Sequence, residues 1–256
     1  MISFKKKEKT EKPSGEHGSH FDVCFAGLNL VKIIVMMSVN KPDQSKEYIV
    51  NLPDFKNAKL VVNTKIIDES LLVTVLLVNG QLYSSYPINR SFTRLKGCKN
   101  PKVVEWKNEL EGWISVSAGN ARLDFFPIDY YKNKEKYNKL KQLSIGFSGI
   151  AYSISKAQND EIESKYGKFK TDKMACLLPI NLKEKNTFPD DYFFRGEVLD
   201  IQSEKVDGKS FFVKVINSDE ILFSIWIRGS ESTIKGRIKK GDYVSGKLWL
   251  QGTITE

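Results

Sequence analysis

Between Tyr192 and Ile254 the apolar residues keep to every second position through four successive runs. In "SFFVKVI", Phe211, Val213 and Val215 share one parity and Phe212, Lys214 and Ile216 the other. In "ILFSIWIR", Ile221, Phe223, Ile225 and Ile227 oppose Leu222, Ser224, Trp226 and Arg228. Phe194, Gly196 and Val198 oppose Phe193, Arg195 and Glu197, and Val244, Gly246, Leu248 and Leu250 oppose Tyr243, Ser245, Lys247 and Trp249. Successive side chains of a strand point to opposite faces, so these runs predict four strands with one uniformly apolar or small face. That face predicts the interior of a small barrel. The other parity collects Phe193, Arg195, Phe212, Lys214, Trp226, Arg228, Tyr243, Lys247 and Trp249. So many rings do not suit a solvated face.

Three meandering strands, a break over "GSESTIKGRIKK" and a closing Gly-Asp-x-Val-x-Gly strand resemble the oligonucleotide/oligosaccharide-binding (OB) fold over residues 192–254. The OB barrel has five strands, so a further strand is required. Either "LSIGFSGIAYSIS" or "MACLLPI" can supply it. Rings interleaved with cations suit single-stranded nucleic acid, since bases stack on rings and Lys or Arg meets phosphate. The nine outward residues are therefore the candidate ligand-binding set. They equally suit packing against the N-terminal half, with cations at the rim.

The remainder of the chain also reads mainly as strand. "AKLVVNTKIID" and "SLLVTVLLV" are β-branched runs, and Asn79-Gly80 between apolar segments predicts a hairpin. "GWISVSAGNARLDFFPI" predicts a second hairpin at Gly119-Asn120. Asn100, Pro101 and Gly112 read as cap, first turn and stop of a short helix. "LVKIIVMMSV" predicts a buried strand. "YYKNKEKYNKLKQL" predicts a connecting helix or linker, and "SKAQNDEIESKYGKFKTDK" a surface loop or one helical segment. The organisation expected is a flexible basic tail over 1–20, a β-rich N-terminal domain over 21–130, a connection over 131–142 and an OB-like barrel over 143–256. The fold class is mainly β, with two β-rich domains and a few short helices. Phe-x-Gly recurs at Phe147 and Phe194, but strand patterning alone accounts for that echo.

The net charge of +9 favours anionic partners. Its excess concentrates at Arg90, Arg94, Lys96, Lys99, Lys102 and Lys107, and again at Lys132, Lys134, Lys136, Lys139 and Lys141. Cys24, Cys98 and Cys176 form no CxxC pair and suit reduced, buried thiols in a cytoplasmic setting. The apolar run from Phe21 to Val39 is broken by Asp22, Asn29 and Lys32, which argues against a membrane span. His17 and His20 both fall in the expected tail, which would leave no histidine for a zinc site or a catalytic triad in the core. No phosphate-binding loop, dinucleotide fingerprint or nucleophile elbow is present. The functions expected are therefore non-catalytic and need no cofactor: binding of single-stranded nucleic acid, or assembly with another protein or a second copy.

Overall fold

The computed structural model describes residues 17–25, 28–119, 121–158, 161–164, 167–170, 175–180, 188–204, 208–216 and 222–256. The fold is mainly β. It opens with helices α1 (Gly18–Cys24) and α2 (Leu28–Asn40), then a four-stranded antiparallel meander of β1 (Gln44–Leu52), β2 (Phe55–Ile66), β3 (Leu71–Val78) and β4 (Gln81–Asn89). Asn79 and Gly80 both take positive φ, 51° and 83°, and turn β3 into β4 as their dipeptide predicts.

The next strands are β5 (Thr93–Glu105), β6 (Gly112–Ala118) and β7 (Ala121–Pro127), followed by helix α3 (Tyr130–Lys139) and the long β8 (Gln142–Lys156). A hairpin of β9 (Glu161–Ser164) and β10 (Gly167–Lys170) stands apart, and β11 (Cys176–Pro179) edges the following strand. The chain ends in β12 (Asp191–Ser203), β13 (Lys209–Ile216), β14 (Leu222–Gly229), the two-residue β15 (Ile234–Lys235) and the long β16 (Tyr243–Ile254).

The pairings close two rings. In ring one, β5, β6 and β7 form a meander and β8 returns to pair with β5. In ring two, β12, β13 and β14 form a meander and β16 returns to pair with β12. Each set is a four-stranded Greek key, in which the fourth strand lies beside the first. Neither closes by itself. Ring one is completed by β16, parallel to β7, and ring two by β8, parallel to β14. The two long strands pair antiparallel along most of their length and belong to both rings. The fifth strand of the C-terminal ring is thus "LSIGFSGIAYSIS", while "CLLP" from the other candidate segment only extends β12.

This is a topological duplication of residues 93–156 and 191–254. It differs from the Phe147/Phe194 echo, which would match β8 with β12 where the topology matches β8 with β16. Ring one also draws strands from both sides of the 131–142 stretch, and α3 is its internal crossover.

The inward parity holds as alternation predicts. Phe194, Val198, Phe211, Val213, Val215, Phe223, Ile225, Ile227, Val244, Leu248 and Leu250 share one continuous core with Ile114, Val116, Leu123 and Phe125 of ring one. Gly196 and Gly246 sit where neighbouring backbone comes too close for a side chain: a Cβ would overlap the carbonyl oxygens of Lys214 and Ser153 respectively.

Four local expectations are corrected. The segment expected as a helix from Asn100 to Gly112 instead continues β5 to Glu105 and turns over 106–111; Asn100 takes positive φ (51°) and Pro101 sits in an irregularity where the register shifts between Lys99 and Lys102. The expected strand "LVKIIVMMSV" lies within α2; its apolar run shows no period of two and is long enough for a helix. The polar stretch after β8 contains the β9–β10 hairpin. Finally, part of the expected tail belongs to the folded body: His17, His20, Phe21, Cys24 and Phe25 are buried, and residues 1–16 lie outside the described residues.

Candidate binding surface

One edge of β8 pairs with β16. Along its other edge β5, β14 and β15 follow one another: Thr93–Lys99 against Gln142–Phe147, then Trp226–Arg228 against Ser148–Ile150, then Ile234–Lys235 against Ile154–Ser155. On β5, Leu95, Cys98 and Val103 point into the core, so Arg94, Lys96, Lys99 and Lys102 form an exposed outward row. Arg94 lies opposite Gly146 and Trp226 opposite Ser148, two positions on along the same strand and hence on the same face. Glu105, the one acid in this basic stretch, is turned inward, where Tyr130 Oη donates to it at 2.8 Å and Lys134 pairs with it at 2.5 Å. Past Trp226 the edge is covered at Arg228 and Ile150, and beyond them lies a cleft of about 420 Å³ lined by Ser155, Lys156, Gln158, Lys235 and Arg237. Lys156 there pairs with Asp242 at 3.0 Å.

Trp226 stacks on Phe212, directly opposite on β13, with ring centroids 5.0 Å apart and 26° between planes. Both rings are half-buried, and so is Lys214, which lies between Glu197 and Ser224. Asp200 sits beside Phe212, so the local charge is mixed. On the β12–β16 side, half-buried Phe193 lies opposite exposed Lys247, and Glu197 opposite exposed Tyr243.

The other three outward residues are covered. Arg195 is buried, its Nη1 donating to the Gln158 carbonyl at 2.5 Å. Arg228 holds the β2–β3 turn: Nη2 meets Asp68 Oδ2 at 2.8 Å and Nη1 donates to Ser70 Oγ at 2.8 Å. Trp249 is fully buried beneath the N-terminal segment, with Nε1 donating to Asp190 Oδ2 at 2.7 Å. Parity therefore placed all nine outward, but ring closure spreads them around a circumference and the N-terminal half covers part of it. Trp249→Phe keeps the ring and removes the donor to Asp190; it is expected to cost about 1–3 kcal/mol, read from the shift in urea midpoint at unchanged slope.

Sequence reasoning missed a buried polar chain beneath α1. His17 Nε2 meets Glu111 Oε1 at 2.8 Å, His17 Nδ1 meets His20 Nδ1 at 3.2 Å, and His20 Nε2 meets Tyr152 Oη at 2.9 Å. Tyr152 Oη donates to Asp191 Oδ1 at 2.7 Å. Glu111 also accepts from Ser84 and Asn108. His20 lies flat on Trp249, with centroids 3.7 Å apart and 8° between planes, and His17 stacks on Trp106. Burial, then the charges of Asp191 and Asp190, holds the Tyr152 phenol well above its ordinary pKa, so it stays an O–H donor. The available signal was the helical spacing His17, His20, Phe21, Cys24, Phe25, a stripe that is buried throughout. Histidine is thus part of the folded body, and its supposed absence gives no ground for excluding catalysis. The adjacent Asp190 and Asp191 serve different partners, Trp249 and Tyr152.

All three cysteines are free and buried. Burial pushes the Cys24 thiol up to about 12 and those of Cys98 and Cys176 to about 11, so they remain protonated at neutral pH. Among the described residues no helix is long and apolar enough to cross a membrane. No protein-family model, curated protein or solved structure matches the chain.

Proposed function

We propose that the chain is a non-catalytic binding protein that engages single-stranded nucleic acid along the outer edge of β8. The observation that carries this reading is the exposed row Arg94, Lys96 and Lys99 followed along β8 by the half-buried Trp226–Phe212 pair; Lys235 and Arg237 lie further along, past Arg228, which the β2–β3 turn covers. Phosphates of a single strand meet the cations and bases stack on the rings. Two supports are independent of that order. The ring-two meander with its fourth strand beside the first resembles the OB arrangement, whose ligands lie on the face of its second and third strands; the corresponding strands of that meander are β13 and β14, which carry Phe212, Lys214 and Trp226. The protonated thiols suit a reducing, cytoplasmic setting. Of the sequence-derived set, Phe212, Lys214 and Trp226 belong to this track; Phe193, Tyr243 and Lys247 flank it across the ring.

Trp106, Trp113 and Trp249 are buried, so Trp226 dominates any quenching by an added ligand. A short mixed-sequence single strand is expected to quench the fluorescence, with affinity falling steeply between low and moderate salt. Trp226→Ala is expected to weaken binding about 10-fold or more, from the roughly 1–3 kcal/mol of one base–ring stack, while the variant stays folded and loses at least the roughly 0.5–1.5 kcal/mol of its stack on Phe212. Absence of both quenching and salt dependence defeats the reading.

A second reading, assembly with a partner protein or a second copy, is favoured by α2. Leu30, Ile33, Met36 and Met37 are exposed on one side of that helix, 40–62% of each, where a surface helix normally presents polar groups. It requires a mass that rises with concentration and falls when Ile33 and Met36 are replaced by polar residues.

A further inference from the structure

The polar chain under α1 can be counted in protons. Five groups, Glu111, His17, His20, Tyr152 and Asp191, are joined by four contacts, and each contact needs one hydrogen. With Glu111 and Asp191 both ionised, two neutral imidazoles and a phenol supply three. If Tyr152 donates to Asp191, His20 Nε2 must donate to Tyr152. His17 Nε2 must donate to Glu111, and the Nδ1–Nδ1 contact then lacks a hydrogen. If Tyr152 donates to His20 instead, the contact with Asp191 lacks one. A proton beyond the neutral rings completes the set. A second one places N–H on both facing Nδ1 atoms, 3.2 Å apart, and breaks the contact.

We propose that His17 and His20 together hold one extra proton, and that losing it or gaining another loosens α1 from the shared strands β8 and β16. The groups around the pair fit a single positive charge. Glu111 faces it from the β5–β6 turn, Tyr152 from β8, and Asp190 and Asp191 from the start of β12. From β4, Tyr86 meets the edge of His17, and Tyr83 lies toward Glu111. On α1 itself Cys24 is a protonated thiol beside the Arg228–Asp68 pair. On α2 the one charged side chain is the exposed Lys32. Loosening α1 uncovers Trp249 and Tyr152 and leaves the strand pairing of both rings in place.

Hydrogen exchange of the full chain, corrected for the intrinsic pH dependence, tests this across about pH 4.5–9, the span that brackets ordinary imidazole titration. Peptides covering residues 18–25 are expected to be best protected at an intermediate pH and to lose protection about 10-fold on each side, the effect of one lost charged hydrogen bond. Peptides from β3 and β8 are expected to stay level. Tyr152→Phe removes the group that creates the need for the extra proton, so its alkaline loss should vanish while the acid loss remains. Level protection of 18–25 in the wild type overturns the proposal. So does an unchanged alkaline loss in Tyr152→Phe, or loss from all peptides together. If that variant does not fold, imidazole nitrogen NMR of the wild type decides: one imidazolium in the pair near pH 7 supports the proposal, and two neutral rings overturn it.

Discussion

Arg228→Ala is expected to destabilise the protein by about 3–5 kcal/mol, the usual cost of removing one partner from a buried ion pair. Arg228 and Asp68 are 2% and 0% exposed, so neither gains water when the other is lost. Asp68 keeps the Ser70 and Leu71 amides at 3.0 and 2.7 Å, yet its charge would stay buried without its cation. Glu204, 3.7 Å from the guanidinium, would lose the same counter-charge. The pair joins the β2–β3 turn to ring two, so the loss should also weaken attachment of the whole N-terminal meander. Urea unfolding of Arg228→Ala, Asp68→Ala and the double variant checks this. Each single variant should lose most of what the double variant loses, because the two share one interaction. A single-variant cost under about 1 kcal/mol would mean the pair is effectively solvated.

Gly246→Val is expected to be at least as severe, about 3–5 kcal/mol or outright failure to fold, well above ordinary overpacking. Gly246 lies opposite Phe194 on β12 and opposite Ile154 on β8, next to the register shift between Lys247 and Leu248. A Cβ there meets the Ser153 carbonyl and lies 3.0 Å from the Phe194 ring. Backbone cannot rotate away as a side chain can, so the strand pairing must yield. Gly80→Ala makes a useful contrast. Its Cβ would meet nothing within 4 Å, so its cost comes from the positive φ of the turn alone. Thermal unfolding of the two variants side by side separates the two causes; equal costs would defeat the crowding argument.

How far the sequence reveals this molecule depends on the range over which each signal acts. Inside and outside of the C-terminal strands were legible because parity is a local property: Phe211, Val213, Ile225 and Leu248 all point inward as read. Which outward residues share a wall was not legible, because that depends on strand order. β8 precedes the other four strands of ring two yet closes it. The helix expected from Asn100 fails for a local reason, since Asn tolerates a left-handed backbone at an irregular strand position as readily as it caps a helix. The burial of His17 and His20 was hidden by lysine-rich neighbours, although their spacing with Phe21 and Cys24 carried the pattern of a docked helix.

The reciprocal completion of the two rings bears on how the chain is made. β16 follows every other described strand in sequence and, like β8, belongs to both rings. During vectorial synthesis neither barrel has its last wall until residues 243–254 leave the ribosome. Until then two open edges of β8 and β12 stand ready for strangers, the state in which nascent β proteins aggregate. Closure must also bring together segments more than a hundred residues apart, Phe126 with Gln251 among them, which predisposes such a chain to slow, late and highly cooperative folding.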